Sequence, residues 1–117
     1  MTKDKLLPTF YSLPEDLVWT ELAPGNRRAV LSARPELMLV AFSFEKGAVG
    51  ALHSHPHTQV SYVAEGAFLV TVDGVTKTLR AGSSFMVAPN LLHGVLALER
   101  GLLIDTFTPC RDDFISR

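Results

Sequence analysis

Four histidines and a glutamine carry the clearest chemical signal in this sequence. His53, His55 and His57 lie within five residues, Gln59 follows at once, and His93 lies on a later apolar segment. Alternate side chains of an extended strand face the same side, so a His-x-His pair can bind one ion without distortion of the backbone. Three imidazole nitrogens and one amide oxygen suit Ni, Mn, Fe or Zn. The sequence therefore predicts one divalent transition metal held by His53, His55, Gln59 and His93.

This prediction leaves alternatives open. Histidines of an exposed loop also occur without a metal, so His53 and His55 could simply be solvated. His57 is expected to face solvent or the rim of the site, and it could bind the ion in place of Gln59. If Gln59 is the ligand, its neutral amide does not offset the metal's positive charge, which favours an anionic, oxygen-rich ligand.

The elements that must position these side chains are short strands. Turn signals recur about every 8–12 residues, a spacing typical of an all-β sandwich or barrel. Asp73-Gly74 predicts a tight hairpin. Alternation places Gln59 and Tyr62 on opposite faces of one strand. The predicted strands cover residues 29–32, 37–44, 58–64, 67–72, 75–79, 84–88, 93–98 and 102–107, and one helical turn is expected from residue 112.

The composition bounds the classes of function. The chain has 117 residues, of which 47% are hydrophobic and 20% charged, and its net charge is −1. These values are typical of one globular domain, here residues 1–117. Without a basic run or a long apolar segment, neither a nucleic acid nor a membrane is expected as a partner. The N-terminus lacks the apolar stretch of a signal peptide, so a cytoplasmic location is predicted.

The spacing of the first histidines resembles the first motif of the cupin family. That motif is a glycine, five residues, His-x-His, three or four residues, a glutamate, six residues and a glycine. The chain has Gly47, then His53 and His55, then Gln59 in place of the glutamate, and Gly66 at the expected offset.

A second stretch resembles the second cupin motif with more departures. Gly82 and His93 match, whereas Ala88 replaces a proline and Ala97 replaces the terminal asparagine. Asn90 stands where the motif has a turn glycine, and asparagine tolerates a left-handed backbone. The resemblance implies an all-β double-stranded β-helix, or jelly-roll barrel, with the metal near its mouth. Residues 37–108 would form the barrel core and residues 1–16 an N-terminal arm.

The last predicted strand supplies candidates for catalysis. Asp105 and Phe107 share one face of this apolar strand, and Arg111 follows Pro109. A buried aspartate is costly unless it is paired or functional. Asp105 could therefore move a proton while Arg111 binds a substrate carboxylate, or the two could form an internal salt bridge. Arg111 could also pair with a neighbouring aspartate at the surface.

The histidine-rich run from His53 to Gln59, taken together with Asp105, Phe107 and Arg111, resembles the pectin-degradation cupins of the KdgF type. The resemblance implies ring opening of 4,5-unsaturated monouronates from pectin or alginate to a linear 4-deoxy-5-keto-uronate, an isomerase- or lyase-type reaction. It also implies a metal on His53, His55, Gln59 and His93, and catalysis by Asp105 and Arg111. Phe107 would pack beside the substrate. Independently of the resemblance, Tyr62 is a candidate for the pocket lining because of its hydroxyl.

Two other classes of function and one assembly state remain compatible with the sequence. The protein could be a metal-dependent dioxygenase acting on a small organic substrate, or a non-enzymatic cupin that binds a small molecule. Small cupins commonly dimerise, and Phe10, Tyr11 and Trp19 in or near the arm are compatible with a homodimer. An arm folded over its own barrel is the alternative.

Overall fold

The computed structural model describes residues 10–115, which fold into two antiparallel β-sheets. The strands are β1 (Thr20–Ala23), β2 (Asn26–Arg34), β3 (Leu37–Phe44), β4 (Val49–His53), β5 (Thr58–Glu65), β6 (Ala67–Val72), β7 (Val75–Arg80), β8 (Ser84–Val87), β9 (His93–Ala97) and β10 (Gly101–Thr108). Single 3-10 turns occupy Pro14–Asp16 and Asp112–Phe114. No helix in this part of the chain has the length and hydrophobicity needed to cross a bilayer.

The strand order is that of a jelly roll. The larger sheet runs β1-β2-β3-β10-β5-β8 and the smaller one β4-β9-β6-β7. Strands distant in sequence are therefore neighbours, since β10 lies between β3 and β5, and β9 lies between β4 and β6. The predicted all-β double-stranded β-helix is confirmed. This topology brings the histidines of β4 and β9 close to the inward face of β10.

Two apolar clusters fill the interior and flank the middle of β10. Leu103 belongs to the first cluster and Phe107 to the second, and Asp105 lies between them on the same inward face. The first cluster consists of Phe44, Ala48, Val63, Phe68, Val70, Ala97 and Leu103. The second consists of Ala33, Met38, Val40, Phe107, Cys110 and Ile115. A polar site is thus enclosed by apolar walls on both sides.

The motif glycines are required by the backbone. Gly47, Gly66 and Gly82 have φ angles of 85°, 81° and 96°, in the region that L side chains rarely adopt. At Gly66 a side chain would also collide with the carbonyl oxygen of Arg100. Asn90, which replaces the turn glycine, has a φ of 68°, as its residue type predicted.

Several sequence predictions need adjustment. β2 is longer than the predicted strand at residues 29–32, and neither β1 nor β4 was predicted as a strand. Of the predicted arm, residues 1–9 lie outside the described residues. Phe10 and Tyr11 are each 85% exposed, so these two aromatic rings are not folded over the barrel.

Candidate metal centre

Three histidines converge at the open end of the two sheets. His53 ends β4 and His93 begins β9, and the two are direct partners in the antiparallel register. His55 lies two residues beyond β4, where its carbonyl oxygen accepts a hydrogen bond from the Asn90 backbone N–H at 2.7 Å. One nitrogen from each of these three imidazoles lies within 4.8 Å of the others. A long-range strand pairing therefore assembles the group, and not the His-x-His alternation alone.

Backbone carbonyls set the orientation of all three rings. Nδ1 of His53 lies 2.9 Å from the Ala51 oxygen, and Nδ1 of His93 lies 2.9 Å from the Leu91 oxygen. Nδ1 of His55 lies 3.2 Å from the carbonyl oxygen two residues on. A carbonyl oxygen only accepts, so each Nδ1 carries the proton and each Nε2 presents a lone pair. This arrangement is the usual support for metal-binding histidines.

The contact between His55 and Gln59 cannot be satisfied by one imidazole proton. His55 Nε2 lies 2.9 Å from Gln59 Oε1, while its Nδ1 also faces an oxygen. A neutral imidazole has one N–H, so one of these contacts joins two lone pairs. A second proton is disfavoured, because burial lowers the pKa of His55 to about 4. Nε2 of His93 is also buried without a partner, and burial lowers the pKa of this imidazole too. The residues fit a divalent cation that accepts these lone pairs.

His57 does not join this group. Its ring lies 5.4 Å from that of His55, and it is outside the three-histidine cluster. Its backbone carbonyl instead accepts the His55 Nδ1–H. The atom that faces His55 Nε2 belongs to Gln59, so the structure favours Gln59 over His57 as the fourth ligand.

Asp105 lies behind Gln59, on the inward face of β10. It is 5% exposed, and Gln59 Nε2 donates to its Oδ2 at 3.3 Å. Its other oxygen, Oδ1, is buried without a hydrogen-bond partner. Burial raises the pKa of Asp105 to about 7, and a hydrogen bond from Ser61 and the charge of Arg111 only partly oppose this. The pKa of this carboxyl thus lies well above that of an ordinary aspartate, as suits a group that accepts and returns a proton.

Arg111 does not form a salt bridge with Asp105 among the described residues. Its Nε and Nη2 donate to the two carboxylate oxygens of Asp113 at 3.0 and 2.9 Å. The guanidinium carbon lies 5.1 Å from the Phe107 ring centroid and 4.3 Å from that of Phe114. The side chain is 10% exposed. Asp113 and the two rings thus hold one edge of the guanidinium, and no acceptor for its Nη1 edge is found within residues 10–115.

Three of the four metal-ligand candidates line one cavity together with the catalytic candidates, and His55 lies outside its lining. Its volume is about 430 Å³, within the range of small-molecule sites. Its apolar walls include Phe42, Phe85 and Leu103. Its polar lining includes His53, Gln59, His93, Asp105 and Arg111, with Phe107 beside them.

The prediction that Tyr62 lines the pocket is wrong. Tyr62 is 49% exposed on the outer face of β5, whereas Gln59, Ser61 and Val63 alternate inward. Two residues three positions apart in a regular strand face opposite sides, so Gln59 and Tyr62 cannot share one pocket. The same alternation points to Ser61, which is fully buried and contacts Gln59 but was not singled out from the sequence.

Comparison with known proteins gives consistent results. The family model of the cupin domain matches residues 40–102. The chain is 41% identical over 107 residues to the pectin degradation protein KdgF of Dickeya dadantii (strain 3937), covering 90% of this chain and 97% of that protein.

Solved structures agree with this relationship. An RmlC-like cupin from Shewanella frigidimarina NCIMB 400 is 46% identical, with a TM-score of 0.89 over 92% of this chain and 97% of that one. KdgF from Halomonas sp. is 37% identical, with a TM-score of 0.86 over 92% of this chain and 99% of that one.

Proposed function

The chain belongs to the cupin family as a homologue of the pectin degradation protein KdgF, and on this basis we propose that it is a metal-dependent enzyme that linearises 4,5-unsaturated monouronates. One observation carries the proposal. His53, His93 and Gln59 line the same cavity as Asp105 and Arg111, and His55 completes the three-imidazole cluster behind them. That cavity therefore combines a Lewis-acid site, a proton-transfer group and a carboxylate-binding group.

The metal centre would be formed by His53, His55, Gln59 and His93. A divalent Ni, Mn, Fe or Zn ion bound there supplies a Lewis acid that stabilises negative charge on substrate oxygens. None of these side chains carries a negative charge that would offset the ion. Burial lowers the pKa of His55 and of His93, which favours the unprotonated imidazole that binds a metal. The centre thus keeps a net positive charge that suits an anionic sugar acid.

Asp105 is assigned the proton transfers of an isomerisation in which no atom is gained or lost. The anomeric hydroxyl loses its proton, the bond between C1 and the ring oxygen breaks, and C1 becomes an aldehyde. The electron pair passes to the ring oxygen and gives the C5 enolate, which becomes a ketone when C4 takes a proton. Asp105, with its pKa near 7, can accept the first proton and return it to C4.

Arg111 and Phe107 are assigned to substrate orientation. Asp113 holds the Nε–Nη2 edge of Arg111, so the Nη1 edge can bind the uronate carboxylate. Phe107 packs under the guanidinium and is 2% exposed, so it forms a firm wall beside the sugar ring. Fixing the carboxylate places the ring relative to Asp105 and lowers the entropic part of the barrier.

The direct test is turnover of an unsaturated galacturonate monomer. The ultraviolet absorbance of its conjugated double bond disappears on linearisation, and the spontaneous rate is subtracted. We expect the protein to accelerate this loss, a chelator to abolish the acceleration, and the methyl ester of the substrate to react more slowly because Arg111 loses its anionic partner. Equal rates with and without protein would refute the proposal. Oxygen uptake during the reaction would instead support a dioxygenase. Binding of the uronate without turnover would support a non-enzymatic binding protein.

We also propose that the protein is a homodimer formed through the outer face of β5 and β8. Val60, Tyr62 and Met86 are 40%, 49% and 64% exposed, and Val60 and Met86 are partners in register. Neighbouring exposed apolar side chains of this kind favour burial against a second copy. Light scattering should give the mass of a dimer for the wild type and of a monomer for the Val60→Lys/Met86→Lys variant. A wild-type monomer would rule the dimer out.

A further inference from the structure

Ser61 is a fully buried polar residue of the site to which neither the motifs nor the proposed reaction assigns a role. It is 0% exposed on the inward face of β5 and lies directly opposite Asp105 in the register with β10. Its Oγ lies 2.9 Å from Gln59 Nε2. A buried hydroxyl in a protein interior is expected to have a partner, and here the hydrogen-bond partner, Gln59, and the register partner, Asp105, are both site residues.

The direction of these hydrogen bonds follows from the donors available. Gln59 Nε2 donates to Ser61 Oγ, because the hydroxyl oxygen has lone pairs that accept an N–H. The Gln59 amide also lies 3.3 Å from Asp105 Oδ2. Its NH₂ group is therefore directed to Ser61 and Asp105, and its Oε1 faces the opposite side.

This arrangement decides which end of the amide meets His55. Rotated by 180°, the amide would donate an N–H to His55 Nε2 and occupy the lone pair that a metal needs. It would also withdraw the N–H groups from the oxygens of Ser61 and Asp105, and it would bring two acceptors into contact whenever Asp105 is ionised. Only the observed orientation gives Oε1, 2.9 Å from His55 Nε2, to the metal centre.

We propose that Ser61 is a positioning residue that, together with Asp105, fixes the Gln59 carboxamide with Oε1 toward the metal centre and so sets its metal affinity. The inference rests on the metal centre of the proposed function, and it adds a residue outside the ligand set. Partners that orient metal ligands typically contribute 10- to 100-fold in affinity.

The test measures Co²⁺ binding by competition, with the visible spectrum of the bound ion as a second readout. Ser61→Ala should weaken Co²⁺ binding by about 10- to 100-fold. Val63→Ala is the matched control, because Val63 is equally buried two residues along the same face but belongs to the apolar core. It should lower the melting temperature more than Ser61→Ala and leave Co²⁺ affinity unchanged. In a Gln59→Ala background, Ser61→Ala should cause no further loss, because the group it orients is gone.

A measurement on the wild type covers the case in which Ser61→Ala fails to fold. In the Zn²⁺-loaded protein, the Gln59 side-chain NH₂ should show nuclear Overhauser contacts to Ser61 Hβ and none to the His55 ring. Contacts to the His55 ring would overturn the proposal. The proposal would also be overturned if the Co²⁺ affinity of Ser61→Ala were within threefold of wild type. An equal loss of Co²⁺ affinity on adding Ser61→Ala to the Gln59→Ala variant would have the same meaning. A wild type that binds no Co²⁺ would refute the metal centre itself, a result distinct from these.

Discussion

Replacing Asp105 by asparagine is expected to lower kcat for uronate linearisation by about 100- to 10,000-fold, the usual contribution of a positioned general acid or base. Asparagine has the same shape and can still accept the hydrogen bond from Gln59, but it cannot take up a proton at neutral pH. Metal affinity should therefore stay within a few-fold of wild type. The measurement is steady-state turnover, with metal content determined on the same samples.

The control for this variant lies next to it on β10. Thr106→Val removes a hydroxyl from the outer, half-buried face of the strand and touches neither sheet interior nor cavity. It should keep wild-type kcat. An Asp105→Asn enzyme with kcat within threefold of wild type would show that Asp105 moves no proton in the slow step.

Asp105→Asn is also expected to change the stability of the metal-free protein in a pH-dependent way. The folded-state pKa of Asp105, about 7, lies above its usual value of 3.8, so between these values the folded state holds a proton that the unfolded state has released. Wild-type stability therefore falls as pH rises through this window. At pH 8, Asp105→Asn should be more stable by on the order of 1–3 kcal/mol, and the difference should shrink toward pH 4. A difference that does not vary with pH would contradict the raised pKa.

Replacing His93 by alanine is expected to abolish stable metal binding and, with it, turnover. If four ligands share a binding free energy of about 10–16 kcal/mol, loss of one costs about 2.5–4 kcal/mol, or roughly 100- to 1,000-fold in affinity. His93 also pairs with His53 across β9 and β4, so its ring is an integral part of the group. The measurement is a Co²⁺ competition titration, with the circular dichroism spectrum confirming that the variant is folded.

His57→Ala is the matched control for His93→Ala. Both changes remove an imidazole near His55, but His57 lies outside the three-histidine cluster and contributes only its carbonyl oxygen, which alanine retains. The Co²⁺ affinity of the His57→Ala variant should stay within threefold of wild type. If His57→Ala loses the metal as His93→Ala does, His57 and not Gln59 completes the site.

The fold and the candidate ligands could be predicted because their signals are local. Gly47, Gly66 and Gly82 mark backbone positions with positive φ, which few other residues adopt, so their spacing identifies the turns of the barrel. His55 and Gln59 are four residues apart, and the short connection between them keeps them in contact. Alternation in β5 was equally informative: it placed Gln59 and Tyr62 on opposite faces, which is incompatible with the prediction that Tyr62 lines the pocket.

The side chains that contact Asp105 and Arg111 could not be predicted from the sequence and are known only from the folded structure. The sequence was compatible with a salt bridge between Asp105 and Arg111, but a long arginine side chain can reach several acceptors. The 3-10 turn after β10 places Asp113 closer than Asp105. The raised pKa of Asp105 likewise depends on its burial between β5 and β3, which are distant in sequence.

Residue types and short spacings thus specify the backbone turns and a set of possible ligands, because these depend on interactions within a few residues. The jelly roll was predicted only through the resemblance to the two cupin motifs. The cavity that joins the ligands to Asp105 depends on strand register across the barrel. His53 meets His93 only after an irregularity in the β4–β9 pairing. Ser61 acquires its role only because β10 sets Asp105 opposite it. Such long-range pairing is a cooperative property of the whole sheet, and no short segment encodes it.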